Sequence, residues 1–339
     1  MDNEQEEHVP VLSVTVLNYN YAHYLPQCLD SILSQTFTDF ELILINDRST
    51  DNSLEVIQPY LADPRIRFVN HEQNKGFVNS LIEGSELSRG KYITVISADD
   101  YCVSNQAFEK LLQMMETDET VALVYSAFGL YGNDSTRHDL ARPHTRSFVR
   151  SGVEEFADLV EAKYFILHSG TIIRTSAYQA AGGYDASMRY SVDTILFLLL
   201  CAQGKVAYCD DELYAYRMHG TNMSRSFVGF RTGIQETIGG VKQAIAIVSE
   251  VYGIHDDRYR YALQRHMIST ATGTIFGGFY RCGWYAYWCA FCLHPFVTLC
   301  QLRTLSLLAR TMLGSRGFES MRSALRPLLR REELRPTVA

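Results

Sequence analysis

The sequence contains no G-x-G-x-x-G and no G-x-x-x-x-G-K-S/T. Neither a dinucleotide-type glycine turn nor a P-loop is therefore present to cradle phosphate. Residues 18–26 hold no Gly, Lys or Arg, so the basic glycine loop that a sugar nucleotidyltransferase would want there is missing. The acidic N-terminus, MDNEQEEHVP, has no apolar h-region. No signal peptide is expected, and a reducing cytosol is the expected compartment for the eight cysteines. No internal repeat or low-complexity tract stands out. The net charge of −7 leaves no overall basic footprint for nucleic acid.

What is present reads as globular. Of the 339 residues, 47% are hydrophobic and 20% charged, enough for a sizeable core in one large domain or two ordinary ones. Charge is uneven: residues 301–339 carry eight Arg against three Glu. A basic, Leu-rich tail points to an anionic surface such as lipid headgroups, or to a plain solvated helix face. Residues 230–339 read as helical. Within them Gly283 to Cys300 is uncharged, at the lower edge of membrane-spanning length, but His294 and Pro295 interrupt it. Residues 318–331 set Phe318, Met321, Leu325 and Leu328 against Arg322, Arg326 and Arg330. Such a face suits peripheral contact with the inner face of a membrane, or a homodimer interface. Cys289-Ala-Phe-Cys292 has half the spacing of a zinc site, yet Cys282, Cys289 and Cys300 share one helical face among aromatics, where an apolar stripe is expected. The sequons at Asn133 and Asn222 have no role in a reducing compartment.

Buried strands are expected at 11–17, 40–45, 67–70, 91–97, 121–125 and 206–216, from β-branched apolar runs. Helices are expected at 24–35, from Asn52, and at 76–88 and 105–117, with Ser49 or Asp51 capping the second. Strand alternating with helix predicts a mostly parallel, Rossmann-like sheet flanked by helices. Ligands on such sheets sit outside the carboxyl ends of the strands. Asn18 to Asn20, Asn46-Asp47 and Asp99-Asp100 all fall at those ends, so the three polar clusters should converge on one crevice. Two adjacent carboxylates repel there. With no glycine loop, a phosphate ligand needs another positive charge, and Mn²⁺ or Mg²⁺ held by Asp100, with Asp99 beside it, would supply one. A helix cap in a surface turn is the structural alternative for the doublet.

At this point the sequence resembles the family 2 glycosyltransferases, which have the GT-A fold. The resemblance runs from about residue 11 to 225. It rests on Leu12-Ser-Val-Thr-Val-Leu-Asn-Tyr-Asn20, Tyr24 to Thr36, Glu41-Leu-Ile-Leu-Ile-Asn-Asp-Arg-Ser-Thr-Asp51, Asn74-Lys-Gly76 and Gly90 to Asp100. It implies a catalytic domain at 11–229, with a nucleotide-binding half at 11–125 and an acceptor half at 126–229, followed by the helical region from 230. It implies that Tyr19 stacks on the base beside Asn20, that Asp47 bonds the base edge, that Lys75 or its loop approaches the nucleotide, and that Asp99 contacts the ribose. Asp100 would bind the metal bridging the diphosphate. The stretch Arg217-Met-His219 resembles the family's "R-x-H", which implies a phosphate partner in Arg217 and a metal ligand in His219. The sequence departs from the pattern at Asn46, often Asp, and at Arg48, often Gly.

Transfer to a hydroxyl needs a base. The family places an Asp where Asp193 stands, usually after Glu; here Val192 precedes it. Simple helix capping is the structural alternative for Asp193, and Asp185 in Gly-Gly-Tyr-Asp is the second candidate. His168 lines the acceptor side or is a core residue. The resemblance thus implies an inverting, metal-dependent transfer from a nucleotide sugar, a UDP-sugar first of all, to a saccharide or lipid-linked acceptor. The competing possibilities are a sugar nucleotidyltransferase and a non-catalytic module that binds nucleotide sugars.

Overall fold

A computed structural model of the chain describes residues 8–222, 231–254, 257–276 and 280–293. The strongest apolar runs form its centre. Strands β1 (Leu12–Asn18) and β2 (Phe40–Asn46) are buried at every position, as strands covered on both faces must be. With β3 (Ile66–Asn70) and β4 (Tyr92–Ser97) they build a parallel block in the order β3-β2-β1-β4. Helices α1 (Leu25–Leu33), α2 (Ser53–Ile57) and α3 (Phe77–Leu87) make the crossovers.

The sheet then changes character. After β5 (Tyr101–Cys102) and α4 (Ala107–Glu116) come β6 (Val121–Tyr131), β7 (Arg137–Ala141), β8 (Phe148–Ser151) and α5 (Gly152–Val160). Then follow β9 (Thr171–Arg174), α6 (Thr175–Ala180), α7 (Val192–Leu200) and β10 (Lys205–Arg217). The short β9 lies between β4 and β6 and runs antiparallel to both, while β6 and β10 pair in parallel. The extra strands β5, β7, β8 and β9 are absent from the sequence expectation. Each is at most five residues long, and β7 is largely exposed, so no apolar period marks them.

Side chains alternate across the pleat. Leu12, Val14 and Val16 meet α1 and α4 through Leu25, Leu29, Ile32, Phe108 and Leu111. Leu17 packs on the opposite face, which is covered by α3, α5 and α7. On that face Thr15 meets α3 at Gly84, where a Cβ would come within 2.5 Å of the Thr15 methyl. Helices α8 (Arg231–Tyr252), α9 (Asp257–Phe276) and α10 (Tyr280–Leu293) continue this second core. Val241, Ala244, Ile245 and Val248 join the cluster that holds Ile195 and Leu196 of α7, and Tyr259 packs edge-on against Phe156.

No helix among the described residues is long and apolar enough to cross a membrane. No group of three or more His, Cys, Asp or Glu among them has a metal-holding arrangement, and the described cysteines are free thiols, Cys289 among them. The arginine-rich stretch at 301–339, the amphipathic face at 318–331 and Cys300 lie outside the described residues.

Candidate active site

Three adjacent strands end on asparagine in register: Asn18 opposite Asn46, and Asn46 opposite Asn70. The Asn46 amide donates to Asn70 Oδ1 at 2.7 Å, and its oxygen accepts from Asn18 Nδ2 at 2.9 Å and Ser49 Oγ at 2.6 Å. An ionised Asp at 46 would accept from Asn18 and Ser49 but could not donate to Asn70. Ser49 is thereby committed to the two asparagines and to the Asn20 amide. Neither Ser49 nor Asp51 is the cap of α2: Asn52 holds that position without a side-chain bond, and Asp51, one residue earlier, accepts from Ser53 N at 3.1 Å.

Asn20 sits at φ 60° and Arg48 at φ 61°. Asn tolerates the left-handed region; Arg does so at a cost. Asn20 Oδ1 accepts from Thr50 N at 2.7 Å and ties the first tip loop to the second. Tyr19 stands beside it, 47% exposed. Arg48→Gly is expected to raise unfolding free energy by about 0.5–1 kcal/mol, read as a higher denaturant midpoint at unchanged slope. A lower midpoint would show that the exposed guanidinium makes a contact worth more than the backbone cost.

Asp47 is nearly buried and fully engaged. Oδ1 accepts from Lys75 N at 2.7 Å and faces His71 Nδ1 at 2.8 Å, and Oδ2 accepts from Gly76 N at 2.9 Å. Its carboxylate therefore folds the loop of residues 71–76 over the tip of β2. The Lys75 ammonium points away, to Glu83 Oε2 at 2.6 Å, and His71 Nε2 lies 3.1 Å from the same oxygen.

The aspartate doublet follows β4. Asp100 is buried; Oδ2 accepts from Ser169 Oγ at 2.6 Å and Oδ1 from Arg217 N at 3.0 Å. Burial, and then the neighbouring Asp99 charge, push its carboxyl up, against the pull of Ser169 and Arg217. Asp99 Oδ2 meets His219 Nε2 at 2.9 Å, while the other ring nitrogen meets Thr221 Oγ1 at 2.9 Å. Arg217 is only 2% exposed. It donates through Nε to the Asp99 carbonyl at 2.8 Å and through Nη2 to Gln27 Oε1, between the rings of Tyr24 and Tyr101. The doublet thus rests on a buried guanidinium. The guanidinium is buried, with the Asp99 carbonyl and Gln27 as its hydrogen-bond partners.

Ser169 belongs to the turn His168–Gly170. His168 Nε2 meets the Tyr184 hydroxyl at 2.7 Å. Burial pushes the imidazole down and the phenol up, and both feel the Asp193 charge. Asp193 is half-buried in the first turn of α7, not at its cap: Ser191 holds that position. Its Oδ1 accepts from Thr194 N at 2.7 Å. Asp185 is exposed and closes its own turn onto Ser187 N.

The structure therefore joins Asp99, Asp100, Arg217 and His219 directly, and adds Ser169 and Gln27. The tips of β2, β1 and β4 are neighbours in the sheet. Asp47 with Lys75 forms a second cluster, and Asp193 with His168 and Tyr184 a third. Sequence inspection missed His71, although it follows directly on Asn70 at a strand end. Gln27 had no local signal. The donors Asp99, Asp100 and His219 are oxygen and imidazole groups suited to a hard divalent cation. They are not gathered into a metal-holding group among the described residues: both Asp100 oxygens and both His219 ring nitrogens are engaged by protein groups.

Fold and site together define a GT-A-like, doubly wound protein with an acidic strand tip. The family model for glycosyl transferase family 2 matches residues 13–180. The chain belongs to the family 2 glycosyltransferases. It is 30% identical over 226 residues to the hyaluronan synthase of Pasteurella multocida, covering 66% of this chain but 22% of that protein. Among solved structures it resembles Staphylococcus aureus TarS 1–349 in complex with UDP-GlcNAc, with TM-score 0.56, 13% identity, and coverage of 80% and 87% of the two chains. A mannosyltransferase from Pyrobaculum calidifontis in complex with GDP-Man and Mn²⁺ gives TM-score 0.56 at 13% identity, over 93% of this chain and 84% of that one.

Proposed function

We propose that the protein transfers a sugar from a nucleoside-diphosphate sugar, a UDP-sugar first of all, to a hydroxyl of a saccharide or lipid-linked acceptor, with inversion. The observation that carries this is the buried doublet at the tip of β4, next to the tip of β1 and bridged to His219. Family membership and neighbours solved with UDP-GlcNAc and GDP-Man support it. Tyr19 offers an exposed ring for a base, and Asp47 shapes the loop beside it. Asp100 and His219 would hold Mn²⁺ or Mg²⁺, which when bound supplies positive charge to the departing diphosphate.

Asp193 takes the proton of the acceptor hydroxyl. The acceptor oxygen bonds to the anomeric carbon as the bond from that carbon to the diphosphate oxygen breaks, so one displacement inverts the configuration. Arg217 and Ser169 act by holding Asp99 and Asp100 in place.

Melting curves with UDP, GDP, UDP-GlcNAc and GDP-Man, each with and without Mn²⁺, test the donor half. A site-bound nucleotide at 100 times its dissociation constant stabilises by about 2.7 kcal/mol. Stabilisation is expected to be larger with Mn²⁺ present, and Asp100→Asn is expected to remove the Mn²⁺-dependent part. No shift with any nucleotide would sink the proposal. A shift without turnover of any donor would favour a binding module.

A further inference from the structure

The segment that carries Asp193 is held by the C-terminal helices. Main-chain N–H groups of Arg189, Tyr190 and Ser191 precede α7 and have no partner within that helix. All three donate to one carboxylate, that of Glu236 on α8. Arg189 N reaches Oε2 at 2.8 Å, while Tyr190 N and Ser191 N reach Oε1 at 2.8 and 2.9 Å. The hydroxyl of Ser191, at the cap position of α7, does not bond its own helix. It pairs with Thr237 Oγ1, and Thr237 donates in turn to Gly233 O at 2.9 Å. One turn further along α8, Gly240 lies against α7. A Cβ there would stand 2.6 Å from Ile195 Cγ1 and 3.1 Å from Met188 Cε. Residues 236, 237 and 240 lie on one face of a helix, so a single stripe of α8 grips the chain on both sides of Asp193.

We propose that Glu236 is a positioning residue for Asp193, and that α8 is for this reason part of the transfer machinery and not an appended layer. This rests on the assignment of Asp193 as the base. A carboxylate accepting three amides fixes the main-chain path at 189–191 more firmly than neutral contacts, because hydrogen bonds to an ionised acceptor are about twice as strong. Asp193, two residues on, takes its place from that path. A base displaced by about 1 Å loses on the order of 100-fold in rate.

The test uses the full chain and four proteins: wild type, E236Q, D193N and the double variant. E236Q keeps the shape but loses the charge and one acceptor oxygen. Nucleotide release from UDP-GlcNAc is expected to fall about 10- to 100-fold in E236Q, in kcat, with the UDP-induced melting shift unchanged. In the D193N background E236Q is expected to cost nothing more, since a residue acting only through Asp193 has nothing left to position. Additive losses would reduce Glu236 to a structural part and overturn the inference. Wild-type turnover in E236Q with D193N inactive would overturn it alone. Wild-type turnover in D193N would overturn the base assignment beneath it. Amide exchange at 189–191 needs no donor: it is expected to quicken in E236Q while exchange in β1 does not, and unchanged exchange refutes the hold. If E236Q fails to fold, E236D keeps the charge with a shorter reach and is read in the same way.

Discussion

Asp193→Asn is expected to lower sugar transfer by about 10²–10⁴-fold, the usual loss when a general base is removed, with nucleotide binding intact. Asn fills the same volume and can still accept from Thr194 N, as Asp193 does at 2.7 Å. The start of α7 is held by Glu236 and Thr237 and not by Asp193. The substitution should therefore leave the fold alone. What it removes is the group that takes a proton at that atom. The check is a split of kcat from donor KM, beside the UDP-induced melting shift. A loss confined to KM would make Asp193 a binding residue, and unaltered kcat would return the base role to an open question with Asp185 next in line.

Arg217→Met is expected to cost about 1–3 kcal/mol of stability, the range for leaving buried acceptors without their donor. Met replaces the stem of Arg217 and part of its packing between Tyr24 and Tyr101. It cannot replace the donors to the Asp99 carbonyl and Gln27. Asp100, already pushed up by burial and by Asp99, then loses a positive neighbour. Arg217→Lys keeps the charge without the planar fork and should fall between the two. The measurement is chemical denaturation of all three proteins, together with the double variant Arg217→Met, Asp100→Asn. Removing the stranded carboxylate should recover part of the loss, so the double variant is expected to be less than additive. Strict additivity would mean that Arg217 matters only as packing.

Much of the candidate site was legible one strand at a time. The runs at 11–17, 40–45 and 91–97 name their own ends, because a strand buried on both faces must be apolar until it leaves the sheet. The polar residue that follows is then exposed to a ligand or needs a partner. That logic locates Asn18, Asn46, Asp47, Asp99 and Asp100. It extends to Asn70 and His71, where a short, half-buried strand gave a weaker signal. It could not reveal that Lys75 turns its ammonium to Glu83, or that Arg217 is buried, because a long side chain has several directions open to it and the sequence records none of them. The short strands between the longer apolar runs are illegible for a related reason: β9 exists because β4 and β6 offer it edges, not because Thr-Ile-Ile-Arg carries a period.

The sequence by itself determined the order of the long buried strands and of the helices between them up to β6, the acidic tip of β4 and the family. Each of these is written in residues near one another, where burial along one element imposes a period. Only the tertiary structure decided what holds the doublet and what steadies the proposed base. Arg217 lies 118 residues from the Asp99 carbonyl it holds, and Glu236 lies 45 residues from Ser191. A buried charge must find its partner wherever the closing fold brings one, and nothing local to either residue announces the meeting.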